Sequence, residues 1–579
     1  MESLRSLIKN NILSFAYIGC CLLLSLPFLF GVLTIVNSHL LPSGYDNTVH
    51  SFFINKILET GNPLIEYSPF SDLIDQDTSR YYPSLMHIIL SITTYIFGFT
   101  SPLQIVSALN TFIILVSIAG AIGFSLLVKE ILKISLFNSY RIKVNEFGFK
   151  VRIYFILLCI LVFGILIFST FLILKTINDG SYAEVFAMWT IFPFYMIFLI
   201  RNSWIKSGIL LSIIGATHNL SLIMALAVTI AYLFSFLINR KWKLLKRSTI
   251  LFIVFGILSI PSFIFFYIPT IQGVANNTAG NVQSLPLELI RESLTPVIYY
   301  SAMAAAGILI ILNYRRLSWL SVWIGIYFAV MSFFPIISTR MARESSIAFS
   351  MIIGICLAYS INFILFSENF RKFIKRHPFL RGYNLRIMLV LFTIVIVLPV
   401  YLNSQYGRLL GESNSFVTYY YSAAQHDSYQ YLLSSYINRY NNDSTNIKDD
   451  IIVYGYSPWL KTLLYDQYNV YEASSKDYGD QFSSKDREIN EDLLSIVQNP
   501  ASQSSACILK EFDIDYVYIA DNLFHRFYTS HQYAVYYEEL NLLRFFTSPF
   551  LHLEKEFHGD HGERVQIYKV NALYADNYC

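Results

Sequence analysis

Two arginines three apart, Arg340 and Arg343, stand where an apolar run begins, in Ser338-Thr339-Arg340-Met341-Ala342-Arg343-Glu344-Ser345. On a helix that spacing puts both guanidinium groups on one face. A guanidinium binds phosphate through paired hydrogen bonds. The plainer uses are reaching to lipid headgroups or pairing with Glu344. A second constellation is Gly44-Tyr45-Asp46-Asn47-Thr48-Val49-His50, where Asp46 and His50 are four apart. They share a helix face if the helix begins that early. A carboxylate there has the chemistry of a general base for a sugar hydroxyl, or it caps the helix that follows.

Further polar groups punctuate the apolar runs. Glu66, Asp72, Asp75 and Asp77 precede Arg80-Tyr81-Tyr82-Pro83. In Asn178-Asp179-Gly180-Ser181-Tyr182-Ala183-Glu184, Asp179 suits a turn. Glu184 instead falls in the first turn of an apolar helix, where an ionisable group is costly and usually faces a cavity. His218, between Thr217 and Asn219, joins two apolar runs. It suits either phosphate binding or a tight turn. No Walker loop, dinucleotide glycine fingerprint, metalloprotease helix or hydrolase elbow is present, which argues against a cytosolic nucleotide substrate.

The elements that must carry these residues are membrane helices. The chain has 579 residues, 55% hydrophobic and 14% charged, against about 25% charged in a soluble domain. Its mean hydropathy is +0.48. Apolar runs of spanning length must be helices, because lipid offers backbone groups no partner. Runs fall at about 12–36, 103–128, 152–174, 183–200, 204–217, 219–238, 248–268, 294–312, 317–337, 346–366 and 385–403, about eleven spans. The first follows Arg5 and Lys9 and lacks a small-residue cleavage site, so it reads as a retained helix.

With a cytoplasmic N-terminus, the cytoplasmic loops collect Lys129, Lys133, Arg141, Lys143, Lys150, Arg152, Arg201, Lys206, Arg240, Lys241, Lys243, Lys246, Arg247, Arg315, Arg316 and the basic run from Arg371 to Arg386. The bias over external loops is roughly three to one, as the positive-inside rule requires. It holds if 84–98 lies in the interface instead of spanning. The first external loop is then about 37–102, and everything after 403 is external.

That C-terminal part, 404–579, is a different material, with 24 Asp+Glu against 13 Lys+Arg. Residues 451–456 and 516–520 read as strands, with helical stretches at 458–465 and before Phe512, which suggests a small α/β domain. Residues 440–450 read as a loop. The six cysteines show no spacing that suggests zinc or a disulfide framework. The fold class expected is therefore mainly α: a polytopic bundle over 1–403, interfacial helices in its first external loop, and an extracytoplasmic α/β domain over 404–579. A multi-pass protein of the plasma membrane follows, with net charge +3 and no nucleic-acid partner.

In order and kind, these features resemble the C-type (GT-C) integral membrane glycosyltransferases. The resemblance rests on a first span and a large external loop opening with Gly44-Tyr45-Asp46. It also rests on an apolar helix opened by Tyr82-Pro83-Ser84-Leu85-Met86-His87 and closed by Phe97-Gly98, a span from Leu103, and short paired spans around His218. It covers most of 1–365 as architecture. It implies inverting transfer from a polyprenyl-phosphate-linked sugar to a cell-surface glycan, lipid or protein, with Asp46 as the base. It also implies a substrate-binding set of His50, Arg80, Tyr82, His218, Arg340 and Arg343. Asp46, Asp179 and Glu184 would make an oxygen-rich site suited to Mg²⁺, Mn²⁺ or Ca²⁺, in a superfamily where a metal is optional. The Trp-Trp-Asp-Tyr-Gly motif of oligosaccharyltransferases is absent, which argues against transfer to a sequon asparagine. The competing readings are a transporter or flippase of lipid-linked glycans, or a non-catalytic glycan-binding membrane protein. A transporter would keep its ionisable groups near the bilayer midplane, whereas these lie at span ends.

Overall fold

The computed structural model describes residues 2–37, 45–63, 85–99, 101–134, 149–168, 171–178, 181–264, 301–307, 319–320, 322–327, 335–366, 423–442, 449–454, 460, 463–464, 468–472, 492–493, 495–496, 499–521, 547–559 and 564–579. At positions 2–12, 37, 45–49, 149–152, 168, 171–172, 175, 178, 335–345, 363–366, 438–442, 454, 521 and 576 it describes the course of the backbone and not the side chains.

The N-terminal part is a helix bundle. Its helices are α1 (Glu2–Asn37), α2 (Tyr45–Thr60), α3 (Leu85–Phe97), α4 (Pro102–Leu132), α5 (Phe149–Phe168) and α6 (Phe171–Asn178). There follow α7 (Tyr182–Val185), a π segment (Phe186–Ile191) and α8 (Phe192–Ile200), which form one continuous apolar rod. The set closes with α9 (Trp204–Thr217), α10 (Asn219–Ile238), α11 (Trp242–Ser262) and α12 (Pro335–Phe366). Among the described residues, five helices are long and apolar enough to cross a membrane: Leu13–Val36, Pro102–Leu132, Tyr182–Ile200, Asn219–Ile238 and Trp242–Ser262. The span at 385–403 lies outside the described residues.

Several boundaries move. The run expected at 248–268 begins at Trp242 and so takes Lys243, Lys246 and Arg247 into α11. The run expected at 346–366 begins at Pro335, which makes Arg340 and Arg343 helical. The run at 152–174 is divided between α5 and α6. Hydropathy locates the apolar centre of a helix and misses the polar turns at its ends.

α3 is a 13-residue helix, about 20 Å long against a hydrocarbon core of about 30 Å. Gly98 stops it at φ +68, with Phe99 N–H bonded to Thr94 O at 2.9 Å, the glycine-closed C-cap that only an unhindered left-handed residue makes cheaply. Met86, His87, Leu90, Ser91 and Thr94 face the protein, while Ile92, Tyr95, Ile96 and Phe97 are exposed. That division suits a helix lying in the interface. Ser101 then caps α4 through a reciprocal capping box with Gln104, and Pro102 stands in the first turn.

Contacts fix which helix ends lie together. Lys129, near the end of α4, donates to Ser14 Oγ at 3.2 Å and sits over the Tyr17 ring, both on α1. Arg201, after α8, bonds Glu130 at 2.8 Å. Tyr232 of α10 donates to Ile200 O at 3.1 Å. Thus the start of α1 and the ends of α4, α8 and α10 share one end of the bundle. α2, α3 and the start of α4 share the other.

The C-terminal part is a five-stranded mixed sheet. Its elements are α13 (Ala423–Asn442), β1 (Asp449–Tyr454), β2 (Tyr468–Glu472), α14 (Gln503–Glu511), β3 (Tyr516–Asp521), β4 (Leu551–His558), β5 (Arg564–Val570) and α15 (Ala572–Tyr578). Strand order is β2-β1-β3-β5-β4; β1 is parallel to β2 and β3, and β5 is antiparallel to β3 and β4. Side chains alternate between two cores: Ile452, Val517, Ile519 and Tyr568 on one face, Ile451, Val453, Tyr518 and Ile567 on the other. Val106 of α4 joins the second core. β1 and β3 fall where the sequence places strands. β2, β4, β5 and α15 carry too many polar residues to stand out. One expectation is overturned: Cys507 of α14 and Cys579 are disulfide-bonded with Cα atoms 4.7 Å apart. Their separation of 72 residues hid the pair, because proximity here comes from folding and not from spacing.

Candidate active site

α2 opens at Tyr45, so Asp46 lies in its first turn and His50 one turn on, sharing a face. A helix N-terminus favours negative charge there. The structure does not describe the Asp46 side chain; it does describe that of His50, which is buried. His50 Nδ1 and His87 Nε2 are 2.9 Å apart. The two rings share one proton in that bond, and their tautomers decide which ring donates. Phe53 packs edge-on against His87, with centroids 5.0 Å apart. Ser91 Oγ donates to Ile54 O at 3.3 Å. Burial first, then the neighbouring His50, holds the His87 imidazole well below its usual range. It therefore stays neutral at physiological pH.

On its other side His50 stacks on Tyr182, with centroids 6.3 Å apart and planes 23° apart. Tyr182 begins α7, and Glu184 follows two residues later at 2% exposure. Glu184 lines a small cleft with Ile173, Thr176, Val185, Met188, Trp189 and Ile347. The walls are firm. Trp189 Nε1 donates to Ser117 O at 3.0 Å, and Thr190 Oγ1 to Val116 O at 2.8 Å, both tying the π segment to α4.

Ile347 belongs to α12. Positions 340 and 343 precede it by seven and four residues, so on the helix all three fall on one face. The backbone therefore sets the Arg340/Arg343 pair one to two turns along the face of α12 that contributes to the Glu184 cleft.

The remaining sequence candidates divide. His218 ends α9 and caps α10: its Nδ1 accepts from Ser221 N at 3.3 Å and lies 2.8 Å from Ser221 Oγ. The tight-turn use is thus filled. Arg80, Tyr82 and Asp179 lie outside the described residues. Of the three carboxylates considered for a divalent cation, only Glu184 has a described side chain. It supplies one buried oxygen donor set, the hard chemistry that Mg²⁺, Mn²⁺ or Ca²⁺ takes. Among the described residues no three His, Cys, Asp or Glu side chains converge as a metal site. Sequence reasoning passed over His87, Tyr182 and Trp189. A histidine on an apolar helix was a signal for the first; nothing in the sequence marked Tyr182 or Trp189 as site residues.

No family model matches the chain, and no curated protein matches it. Solved structures do. An oligosaccharyltransferase from Archaeoglobus fulgidus, solved with Zn and sulfate, aligns with TM-score 0.53 at 11% identity, over 94% of this chain and 72% of its own. The mycobacterial arabinofuranosyltransferase AftD aligns with TM-score 0.51 at 12% identity, over 95% of this chain and 41% of its own. ArnT from Cupriavidus metallidurans, bound to undecaprenyl phosphate, aligns over 96% and 97% at 11% identity, with TM-score 0.46, too low to rest an argument on. At such identity the likeness speaks for the fold alone, one that the chain shares with the oligosaccharyltransferase and with AftD.

Proposed function

We propose, from this fold and the site it frames, that the chain transfers a sugar from a polyprenyl-phosphate donor to an acceptor glycan, lipid or protein on the outer face of the plasma membrane. The observation that carries the reading is the joining of α2 to α7: the His50–Tyr182 stack brings the helix turn bearing Asp46 beside the segment bearing buried Glu184. Asp46 takes the proton from the acceptor hydroxyl, and the oxygen attacks the anomeric carbon from the face opposite the phosphate, inverting it. Arg340 and Arg343 hold the lipid phosphate and stabilise the charge it gains on leaving. A divalent cation held by Glu184 with Asp46 and Asp179 would supply further charge stabilisation at that phosphate.

The topology proposed is a cytoplasmic N-terminus with about eleven spans. It places the C-terminal domain, which begins near residue 404, outside the cell. The Cys507–Cys579 disulfide supports that side, since disulfides persist in oxidising compartments. The packing of Val106 into that domain's core supports it too, since α4 starts at the end shared with α2 and α3. The domain then stands over the acceptor side of the site.

The test is detergent-purified protein incubated with a panel of radiolabelled polyprenyl-phosphate sugars and cell-envelope acceptors, beside Asp46→Asn and Glu184→Gln. Release of polyprenyl phosphate by the wild type, lost in Asp46→Asn with donor binding retained, is expected. Donor binding without sugar release, unaffected by Asp46→Asn, would refute transfer and favour a flippase.

A further inference from the structure

The opposite end of the bundle carries a second surface that the transfer reading does not use. From residue 185 to residue 287 the chain contains no Asp or Glu, yet it contains Arg201, Lys206, Arg240, Lys241, Lys243, Lys246 and Arg247. All seven are exposed. They sit on two tight connections, α8–α9 and α10–α11, and on the first two turns that follow.

The structure brings those connections together. A Cβ at Gly208 of α9 would lie 2.8 Å from Leu251 O and from Val254 Cβ of α11, and Ser212 Oγ lies 3.4 Å from Phe255 O. Contact advances along both helices in the same sense, so α9 and α11 run parallel, with Gly208 level with residues 251–254 of α11 and the start of α11 reaching beyond the start of α9. Lys206, two residues before Gly208, thus falls on the same end of the bundle as Arg247, with Lys246 and Lys243 continuing along α11 toward its start. Both connections are rigid. Asn202 at φ 57 and Arg240 at φ 50 each take the left-handed conformation that closes the preceding helix. The bonds Ser203 N to Phe198 O at 2.9 Å and Lys241 N to Phe236 O at 2.8 Å seal them. Glu130, the carboxylate that reaches this end from α4, is engaged by Arg201.

A cation in the first turn of α11 opposes the helix dipole, so no local helix preference accounts for Lys243. Trp242 among them is 55% exposed, and tryptophan settles at the level of lipid headgroups. We propose that this end is a docking face for anionic phospholipid headgroups, and that the bound lipid clamps α9, α10 and α11 together. The partner is set by charge complementarity: a fixed array of cations on an acid-free stretch, level with an aromatic interface anchor, meets a surface of phosphates at the membrane boundary.

The experiment is thermal unfolding of the purified full-length protein in a neutral detergent, titrated with phosphatidylglycerol or with phosphatidylcholine. The expected result is an upward shift with phosphatidylglycerol alone, abolished near 1 M salt, where the screening length is about 3 Å. In Lys243→Gln/Lys246→Gln/Arg247→Gln the lipid concentration needed should rise by about fivefold for each cation removed. Equal shifts with phosphatidylcholine, equal shifts with inorganic phosphate, or an undiminished response in the triple variant would each overturn the proposal. If that variant fails to fold, the wild type decides: a phosphatidylglycerol shift that survives high salt refutes a charge-based site.

Discussion

Replacing Gly120 by alanine should damage this protein more than its single added methyl suggests. Gly120 lies on α4 where the π segment crosses it. A Cβ there would stand 2.6 Å from the Trp189 carbonyl oxygen and would also overlap the Trp189 indole. Carbon contacts need at least 3.0 Å. The indole cannot swing aside, because it donates to Ser117 O at 3.0 Å and packs against Phe28 and Phe124 with centroids 5.1 and 4.7 Å away. The two segments must therefore part. Overpacking of this kind costs about 1–3 kcal/mol, and loss of the Trp189 hydrogen bond adds about 1 kcal/mol. Gly256→Ala is the internal reference, since nothing lies within 4 Å of its added Cβ; in a helix that change is favourable by up to about 1 kcal/mol. Detergent-solubilised variants followed by circular dichroism on heating should unfold in the order Gly120→Ala, wild type, Gly256→Ala. Met188 and Trp189 also line the Glu184 cleft, so sugar release should fall in Gly120→Ala and not in Gly256→Ala. If the two variants unfold alike, the α4–π-segment contact is not as close as argued.

Three further outcomes follow from other parts of the molecule. His87→Leu deletes the partner of His50 Nδ1 and should destabilise the α2–α3 pair by about 1–3 kcal/mol, read as a lowered unfolding temperature; an unchanged one would mean that the bond contributes nothing. Cys579→Ser opens a loop closed across 72 residues and should destabilise the C-terminal domain by up to about 4 kcal/mol, with wild type in reductant behaving the same way; insensitivity to reductant would count against the staple. Asp515 is pushed up to about 6, chiefly by burial and then by the nearby Asp449, Asp450 and Asp513 carboxylates. The folded state thus holds its proton more tightly than the unfolded chain, so the contribution of Asp515 to domain stability is full below about pH 4 and is lost as pH rises through 6. Asp515→Asn should flatten that slope in pH-dependent unfolding, and an unaltered slope would refute the assignment.

The membrane bundle was legible because it rests on one-dimensional physics. A bilayer demands long apolar helices, so runs such as 103–128 and 219–238 announce α4 and α10 directly. Gly98 and the Ser101-Pro102 pair mark the ends of their helices by local stereochemistry alone. Asp46 and His50 were placed on one helix face by spacing, and the helix does begin early enough to do so. What spacing could not give is which faces meet. That His50 bonds His87 and stacks on Tyr182, that Trp189 locks into Gly120, and that Ile347 closes the cleft on the arginine-bearing face of α12 all depend on helices crossing at particular depths. The same holds for Cys507 and Cys579, which only the folding of α15 against α14 brings together. Hydropathy sees the solvent each residue prefers. Side-chain partners are chosen by packing between segments far apart in the chain, and that choice was made only by the tertiary structure.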